Sequence, residues 1–278
     1  MVVAVGDVVV KAHRAGDAPA VVAARAALAA RLPELLAPVA LPGADLAPYV
    51  AVEGGRAVTV WPRGVPLDRE DPDAAPWRGL GGLLARLHRR EPEEAGGLAA
   101  AGPDRVARSV EALRRTGRDD EDARAVLAAA ATLAPWTCGQ APWPSSVHGP
   151  VLVHGDVHLG QLVDAGAGLV LLDVDDLGVG VSAWDLARPA AWFLTGLVGE
   201  QEWGSLLGGY ADAGGPLTTD PRGPWPELEP AARALTVQTA ARGLLGRGGL
   251  PADDDLPRRL LVEACRRIAA GGSVPGPL

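Results

Sequence analysis

The chain has 278 residues, 48% of them hydrophobic, and a formal net charge of −8 at pH 7. This length and composition can bury a large core, either in one domain or in two lobes. The acidic balance argues against nucleic acid or an anionic membrane as a partner, because both bind basic protein surfaces.

No feature of the sequence predicts secretion or membrane insertion. The apolar runs are too short to span a bilayer, and the first residues lack a basic region followed by an apolar secretory core. Cys138 and Cys265 lie far apart without metal-ligand spacing, so we expect reduced, partly buried thiols. We therefore expect a cytoplasmic protein.

The first 61 residues have the pattern of a small antiparallel β lobe with one helix. Strands are predicted at 2–5, 8–13, 49–53 and 56–61, and a helix at about 19–32. Two glycine-containing turns, Gly6-Asp7 and Gly54-Gly55, predict hairpins between successive strands. The Trp-Pro-Arg-Gly sequence at 61–64 predicts a hinge between an N-terminal lobe, 1–61, and a C-terminal lobe, 62–278.

Lys11 is the only lysine in the chain, because every other basic side chain is arginine. It follows the β-branched run 8–10, which predicts a position on a strand. A compact ammonium and a forked guanidinium are not interchangeable at a binding site. A single lysine kept on a strand therefore predicts a specific anion contact.

The C-terminal lobe is predicted to be mostly helical. Leucines at 80, 83, 84 and 87 form an apolar stripe at helical spacing, which ends at His88. We expect His88 to be structural, since it lies near a helix C-terminus. Further helices are predicted at about 105–115, 119–131, 184–197, 202–212, 230–245 and 256–270.

Residues 154–187 contain the residues best suited to chemistry. The apolar run 151–153 leads to Asp156, and a second run, 169–172, leads to Asp173 and Asp175. Two strand ends would therefore present carboxylates to one cleft. Phosphoryl transfer needs one carboxylate to orient the attacking hydroxyl, and a carboxylate with an amide to hold Mg²⁺ against nucleotide phosphates.

This segment resembles the catalytic segment of the aminoglycoside phosphotransferase and choline kinase-like family, H-G-D-x-H-x-x-N followed by an apolar strand, an aspartate and D-L-A. The matching positions are His154, Gly155, Asp156, His158, Asp173, Asp185, Leu186 and Ala187. The resemblance implies an α+β, protein-kinase-like two-lobe fold, with a reduced N-terminal antiparallel β lobe and a mostly helical C-terminal lobe. It also implies a small-molecule kinase that uses ATP or GTP with Mg²⁺.

The resemblance assigns a role to each site residue. The implied roles are catalytic base for Asp156, metal ligand for Asp173, Gln161 and Asp175, phosphate contact for Lys11, and structural support for His154, His158 and Asp185. In this family the crossing strand offers groups to the nucleotide base, so Trp61 is a candidate for lining that pocket, with a core tryptophan as the alternative.

Three departures from the family pattern bear on the site. Gln161 replaces the usual asparagine, although the maltokinase-like and glucosamine-kinase-like branches look similar here, with HGD-x-HLGQ. Only ten residues precede Lys11, so the N-terminal lobe is predicted to be reduced. The helix after Lys11 has no acidic residue, which leaves Glu34 or Asp17 as the expected partner of the lysine.

Two other functional classes stay open. His154, Asp156 and His158 alternate along an extended segment, which is a possible zinc hydrolase pattern. That interpretation leaves Lys11 and Asp173 without a role. The departures above would also suit a pseudokinase that binds without transferring a phosphoryl group. Mg²⁺-dependent nucleotide binding separates an enzyme from such a scaffold.

The acceptor is predicted to be a small hydroxyl compound, cationic in preference to neutral, such as an aminoglycoside or a peptide antibiotic of the capreomycin or viomycin kind. The basis is the acidic balance together with carboxylates on the C-terminal helices. Candidates for binding a cation are Glu200, Glu202, Asp212, Asp253, Asp254, Asp255 and Glu263. Sugars and amino sugars are the alternative acceptors, and the sequence does not predict an oligomeric state.

Overall fold

The computed structural model describes residues 1–46, 48–66, 76–146, 148–166, 168–220, 222–246 and 256–271. Its strands are β1 Val2–Val5, β2 Val8–Ala12, β3 Ala51–Glu53, β4 Arg56–Pro62, β5 Val65–Pro66, β6 Val151–Val153, β7 Leu162–Asp164, β8 Leu169–Leu171 and β9 Gly178–Gly180. Its helices are α1 Pro19–Ala29, α2 Trp77–His88, α3 Gly102–Arg114, α4 Glu121–Ala130, α5 Ala183–Leu194, α6 Glu200–Asp212, α7 Trp225–Leu244 and α8 Leu256–Ala269. The predicted α+β architecture is confirmed.

The N-terminal sheet has the order β1-β2-β4-β3, and all neighbouring strands are antiparallel. Its register places Lys11 opposite Thr59 and Val9 opposite Trp61. Alternate residues of a strand share one face, so Val9, Lys11 and Trp61 lie on the same side of this sheet. The two predicted glycine turns join β1 to β2 and β3 to β4.

The helical part packs around α2, whose predicted leucine stripe is fully buried. Helix α2 lies directly against α6 at Gly81, where a Cβ would collide with the carbonyl oxygen of Leu206. A glycine is required at that contact because the two helix backbones approach too closely for a side chain. This packing sets the position of His88 at the end of α2.

Short strands hold the catalytic segment between the two parts of the molecule. β6 pairs with β9, while β7 pairs with both β5 and β8. Since β5 directly follows the N-terminal sheet, the pairing of β5 with β7 ties that sheet to the catalytic segment. The ends of β6 and β8 then deliver the two acidic loops.

Predicted and observed element boundaries differ by a few residues at most helix ends. The largest difference is α7, which begins at Trp225 instead of the predicted Pro230. A proline favours the first turn of a helix, but here Pro226 takes that position and Pro230 lies inside the helix. Cys138 is a half-buried free thiol, as predicted, whereas the free thiol of Cys265 is fully buried. Within the described ranges, no helix combines the length and hydropathy that crossing a membrane requires.

Candidate active site

The backbone of the loop after β6 is held by one buried carboxylate. Asp185, in the first turn of α5, accepts a hydrogen bond from the amide of His154 at 2.7 Å and one from the amide of Gly155 at 2.8 Å. Gly155 has φ +89°, and a Cβ there would lie 2.6 Å from the carbonyl oxygen of Asp176. The loop conformation therefore depends on a glycine and on the Asp185 carboxylate.

His154 joins this loop to the end of β8. Its Nε2 donates to the carbonyl oxygen of Leu172 at 2.9 Å, and its Nδ1 accepts from the amide of Asp156 at 3.4 Å. Both ring nitrogens are therefore used inside the protein. Across the described residues, no three histidine, cysteine or carboxylate side chains are arranged to share an ion, and the zinc hydrolase interpretation gains no support.

His88 lies behind the same loop. Its Nε2 is 3.2 Å from Asp185 Oδ2, and its Nδ1 is 2.8 Å from the hydroxyl of Tyr210. All three side chains are buried. The expectation that His88 is structural agrees with this position, because it contacts the carboxylate that holds the loop.

The Asp156 carboxylate lies between two arginines from different helices. Arg105 of α3 contacts Oδ2, and Arg188 of α5 donates to Oδ1 at 2.8 Å. Arg188 also contacts Gln238 at 3.0 Å and Thr239 at 3.2 Å on α7. Burial raises the pKa of Asp156, but Arg188 and Arg105 more than offset this and hold the pKa well below its usual range. The Asp156 carboxylate is therefore ionised, and the two arginines hold it in one orientation.

The loop after β8 begins with Asp173, which has φ +65° and is the one described residue other than glycine with positive φ. This left-handed conformation is unfavourable for most side chains and often occurs at functional sites. The Nζ of Lys11 lies 2.6 Å from Asp173 Oδ1 and 2.7 Å from Asp175 Oδ2. Burial lowers the pKa of Lys11, but the two carboxylates more than offset this and raise it.

The prediction that Glu34 or Asp17 pairs with Lys11 was wrong. Glu34 is buried against Arg90, with oxygens 3.0 and 3.2 Å from Nη2, and Asp17 accepts from the backbone amide of Arg14 at 2.9 Å. Neither carboxylate contacts Lys11 in the structure. Since α1 offers no acid, the lysine is paired by carboxylates from the loop after β8 instead.

Helix α1 contributes an arginine to this loop, which the sequence analysis missed. Arg25 donates to the carbonyl oxygen of Leu177 at 2.9 Å and to that of Ala99 at 3.2 Å, and it also contacts the carbonyl of Asp175. Arg25 is the only charged side chain in α1. That isolated charge in an apolar helix was the available signal.

His13 is a second residue that the sequence analysis missed. Its Nδ1 lies 3.3 Å from Asp175 Oδ1, and its Nε2 lies 3.0 Å from Thr59 Oγ1. His13 is two residues beyond Lys11 on an extended segment, so both side chains point to the same face. Strand periodicity could have found it. The hydrogen bond from His13 and the charge of Lys11 outweigh burial and lower the pKa of Asp175.

Gln161 and His158 lie beside the Asp173 carboxylate and the Asp156 loop. Gln161 is buried, and its Nε2 donates to Asp173 Oδ2 at 3.4 Å. The Gln161 side chain therefore lies next to Asp173. Burial, helped by Arg188, lowers the pKa of His158 to about 4, so this histidine is neutral at physiological pH.

Asp176 is a further acid that shares Arg105 with Asp156. Burial raises the pKa of Asp176 to about 6, because Arg105 only partly offsets it and the negative charge of Asp156 adds to the rise. One arginine therefore joins the two acidic loops.

Two cavities meet at this cluster. The first, which we call the apolar cavity, has a volume of about 330 Å³ and contains Lys11 and Asp173. Apolar side chains form most of its wall: Val2, Val9, Leu36, Trp61, Pro62, Leu159, Leu162, Val163 and Leu172. Trp61 is 8% exposed and donates from Nε1 to Thr59 at 2.8 Å. It therefore belongs to the core and to the cavity wall at once.

The second cavity, which we call the arginine cavity, has a volume of about 380 Å³. It lies between the β2–α1 connection, α1, α3 and the loop after β8. Its charged lining is Arg14, Asp17, Arg25, Arg105, Arg108, Asp175 and Asp176.

The carboxylates expected to bind a cation are placed elsewhere. Glu200, Glu202 and Asp212 lie on α6, where Asp212 pairs with Arg78. Glu263 lies on α8 and contacts Arg266 at 3.2 Å. None of these four lines the apolar cavity or the arginine cavity. Residues 253–255 lie outside the described residues.

Solved structures share this architecture over nearly the whole chain. An amicoumacin kinase in complex with AMP-PNP, Ca²⁺ and Ami has a TM-score of 0.62 and 14% identity, covering 96% of this chain and 82% of that one. A choline/ethanolamine kinase family protein from Mesorhizobium loti has a TM-score of 0.56 and 14% identity, covering 97% and 83%. At this identity the likeness shows the protein-kinase-like fold.

A spectinomycin phosphotransferase in complex with ADP and spectinomycin is similar to the same extent. Its TM-score is 0.57 at 14% identity, with 94% of this chain and 85% of that chain covered. The comparison with curated proteins finds no match. The model of the phosphotransferase enzyme family (APH) matches residues 2–230. The chain therefore belongs to this phosphotransferase family and is a small-molecule phosphotransferase.

Proposed function

We propose that this phosphotransferase transfers the γ-phosphoryl group of ATP or GTP, with Mg²⁺, to a hydroxyl of a small molecule. The observation that carries the proposal is the position of Lys11, whose ammonium lies within 2.7 Å of both Asp173 and Asp175 at one end of the apolar cavity. A phosphate-binding lysine beside oxygen ligands for Mg²⁺ is the arrangement that kinases use.

The residues around Asp173 fit a magnesium ion. Asp173 and Asp175 offer carboxylate oxygens and Gln161 an amide oxygen, and these are the hard ligands that Mg²⁺ prefers, with phosphate oxygens completing its coordination. When bound, the ion would neutralise charge that develops on the transferred phosphoryl group. The proposed ligands are the carboxylates of Asp173 and Asp175 together with Gln161.

The apolar cavity suits a nucleotide base and ribose. Its wall is formed by the N-terminal sheet and by residues 159–172, so both proposed lobes, 1–61 and 62–278, contribute. Trp61 is the proposed aromatic contact for the base, and Lys11 the contact for phosphate oxygens. Burial of an aromatic base against these side chains would supply most of the binding free energy.

Asp156 is the proposed catalytic base. The acceptor oxygen forms a bond to the γ-phosphorus while the bond from that phosphorus to the β–γ bridging oxygen breaks, and ADP or GDP leaves. Asp156 orients the hydroxyl and accepts its proton late in the step. The low pKa of Asp156 favours orientation over early proton removal, which suits a loose transition state.

The solved relatives support a nucleotide and a small acceptor. Their complexes contain ADP with spectinomycin, or AMP-PNP and Ca²⁺ with Ami. Aminoglycosides, peptide antibiotics of the capreomycin kind, amino sugars and sugars are the proposed acceptor classes. The expectation of a cationic acceptor rests on the net charge alone, because the four described carboxylates expected to bind it lie away from both cavities.

Nucleotide-dependent stabilisation tests the proposal directly. ATP with Mg²⁺ at 100 times its Kd should stabilise the folded protein by about 2.7 kcal/mol, whereas ATP without a divalent ion should stabilise it much less. A screen for ADP release across the acceptor classes follows. No stabilisation by ATP or GTP with Mg²⁺ would contradict the proposal, and binding without ADP release for any acceptor would favour the pseudokinase alternative.

A further inference from the structure

The side chains around Asp156 carry more positive than negative charge, unlike the chain as a whole. The chain is acidic, with a net charge of −8. Yet the four arginines of the arginine cavity, together with Arg188 and Arg242 on α5 and α7, outnumber the aspartates there, which are Asp17, Asp156, Asp175 and Asp176. A local field of this sign attracts anions even when the molecule as a whole repels them.

Three of these arginines already have partners. Arg25 contacts backbone carbonyls of the loop after β8, Arg105 contacts Asp156 and Asp176, and Arg188 contacts Asp156. Their hydrogen bonds within the protein hold the acidic loops in place.

The other three differ in this respect. In the described part of the chain, the guanidinium groups of Arg14, Arg108 and Arg242 make no hydrogen bond or ion pair. Arg14 and Arg108 are exposed at the arginine cavity, and Arg242 is half-buried. Half-burial removes part of the hydration of the Arg242 guanidinium, and an anionic ligand group at Arg242 would offset that loss.

Arg242 lies one helical turn after Gln238 and Thr239 on α7, and both of these contact Arg188 beside Asp156. Burial lowers the pKa of Arg242, Asp156 partly offsets this, and Arg188, Arg105 and Arg14 lower it further. Helix α7, α3 and the β2–α1 connection therefore contribute positive charge around Asp156. These three elements are far apart in sequence and meet only in the fold.

We propose that the acceptor carries an anionic group, a carboxylate or a phosphate, which Arg14, Arg108 and Arg242 bind while its hydroxyl faces Asp156. This inference rests on the proposed function, since it describes the acceptor of that reaction. Arginine suits the role because its fork matches carboxylate and phosphate oxygens.

The phosphates of the nucleotide are a different anion, and we place them at Lys11 and Asp173. Lys11 and Asp173 border the apolar cavity, whereas Arg14 and Arg108 border the arginine cavity. Loading the protein with Mg²⁺ and AMP-PNP should therefore leave the three arginines accessible. A second anion can then be measured on the loaded protein.

The binding test uses inorganic phosphate as the probe and chloride at matched ionic strength as the reference. Calorimetric titration of protein loaded with Mg²⁺ and AMP-PNP should show saturable phosphate binding. The variants Arg242→Gln and Arg14→Gln/Arg108→Gln should weaken it at least about tenfold, since a hydrogen bond to a charged group contributes about 1.5–3 kcal/mol. Arg115→Gln is the matched control, since the exposed Arg115 lies just after the end of α3 and outside the cavity, and it should leave binding unchanged.

The kinetic test uses four compounds that share the glucose ring and differ in charge: glucose, glucosamine, glucuronate and glucose 6-phosphate. Transfer to glucuronate or glucose 6-phosphate should exceed transfer to glucose and glucosamine at least about tenfold in kcat/KM. In Arg242→Gln the advantage should be lost through KM, with kcat nearly kept. Arg14→Gln/Arg108→Gln, whose residues are exposed, gives the same test if Arg242→Gln fails to fold.

The outcomes separate this inference from the proposed function. No saturable phosphate binding, binding that all variants share, or preferred transfer to glucosamine would overturn the anionic acceptor while leaving a kinase. Failure to bind AMP-PNP with Mg²⁺ would overturn the proposed function, and the phosphate titration without nucleotide would still test the anion site. If none of the four sugars is phosphorylated, the phosphate titration alone decides.

Discussion

The apolar cavity and the arginine cavity both border Trp61, but their walls are of different kinds. The apolar cavity is lined mainly by strand and loop side chains without charge, and it contains Asp173. The arginine cavity contains Asp175 and is edged by guanidinium groups from three elements. The two carboxylates that Lys11 joins therefore face different surroundings.

This difference shows how neighbouring cavities can bind two ligands through different forces. An apolar wall binds through area, with little dependence on salt, whereas exposed charges bind through a field that salt screens. Asp156 and Asp173 belong to adjoining loops that His154 connects. A substitution on one side should therefore affect its own ligand first, and the substitutions of Asp156, Asp173, Gln161 and Lys11 below test this division.

The largest effect is expected from Asp156→Asn. Phosphoryl transfer should fall at least about a hundredfold, because the hydroxyl loses the group that orients it and accepts its proton. Nucleotide affinity should stay nearly unchanged, since Asp156 does not line the apolar cavity. Phosphate binding should become tighter, because Arg105 and Arg188 lose their carboxylate. Single-turnover kinetics and calorimetry measure the three quantities, and near wild-type turnover would contradict the role.

Asp173→Ala should abolish the stabilisation that nucleotide provides in the presence of Mg²⁺, since the ion loses its main carboxylate ligand. Phosphate binding at the arginine cavity should persist. Thermal unfolding with and without ATP and Mg²⁺ measures the effect, and Asp164→Ala, an exposed aspartate at the end of β7, is the control.

Gln161→Asn sharpens the same test, because it restores the amide of the family motif. This variant should keep activity, whereas Gln161→Ala should lose most of it. If the alanine variant were active and the asparagine variant inactive, the amide would not be a metal ligand.

Lys11→Arg should reduce kcat/KM by about tenfold although the charge is kept. The compact ammonium lies between two carboxylates at 2.6 and 2.7 Å, and a forked guanidinium cannot take that position. Steady-state kinetics with varied ATP measures the loss. Equal activity of the two proteins would remove Lys11 from the phosphate site.

The smallest expected effect is on the free energy of unfolding, which should depend on pH through the Asp176 carboxyl. Its pKa is raised to about 6 in the folded protein, so the folded state keeps a proton that the unfolded chain releases near pH 4. The stability from this group is complete below pH 4 and is lost as pH rises through 6.

Between pH 5 and pH 7 the wild type should therefore lose about 1 kcal/mol relative to Asp176→Asn, which cannot titrate. Urea unfolding at both pH values measures the difference, with Asp212→Asn as an exposed control. An equal change in wild type and Asp176→Asn would show that the Asp176 carboxyl titrates normally.

Local patterns in the sequence were sufficient to predict many of the strands, turns and helices. Glycine turns predicted the hairpins of the N-terminal sheet, the leucine stripe predicted α2, and apolar runs predicted β6 and β8 with acids at their ends. The family motif predicted that Asp185 supports the loop after β6, and the β-branched run before Lys11 predicted that this lysine lies on a strand, which is β2. These features depend on residues close in sequence, where periodicity and turn chemistry act directly.

Only the tertiary structure decided which charges meet. The partner of Lys11 comes from the loop after β8, more than 160 residues away, and Glu34 instead pairs with Arg90. Arg105 carries no local signal for its contact with Asp156, because its place depends on how α3 packs against α7 and against Trp184 of α5. Long-range ion pairs follow from packing between elements, and a pattern along the chain holds no information about which distant faces come together.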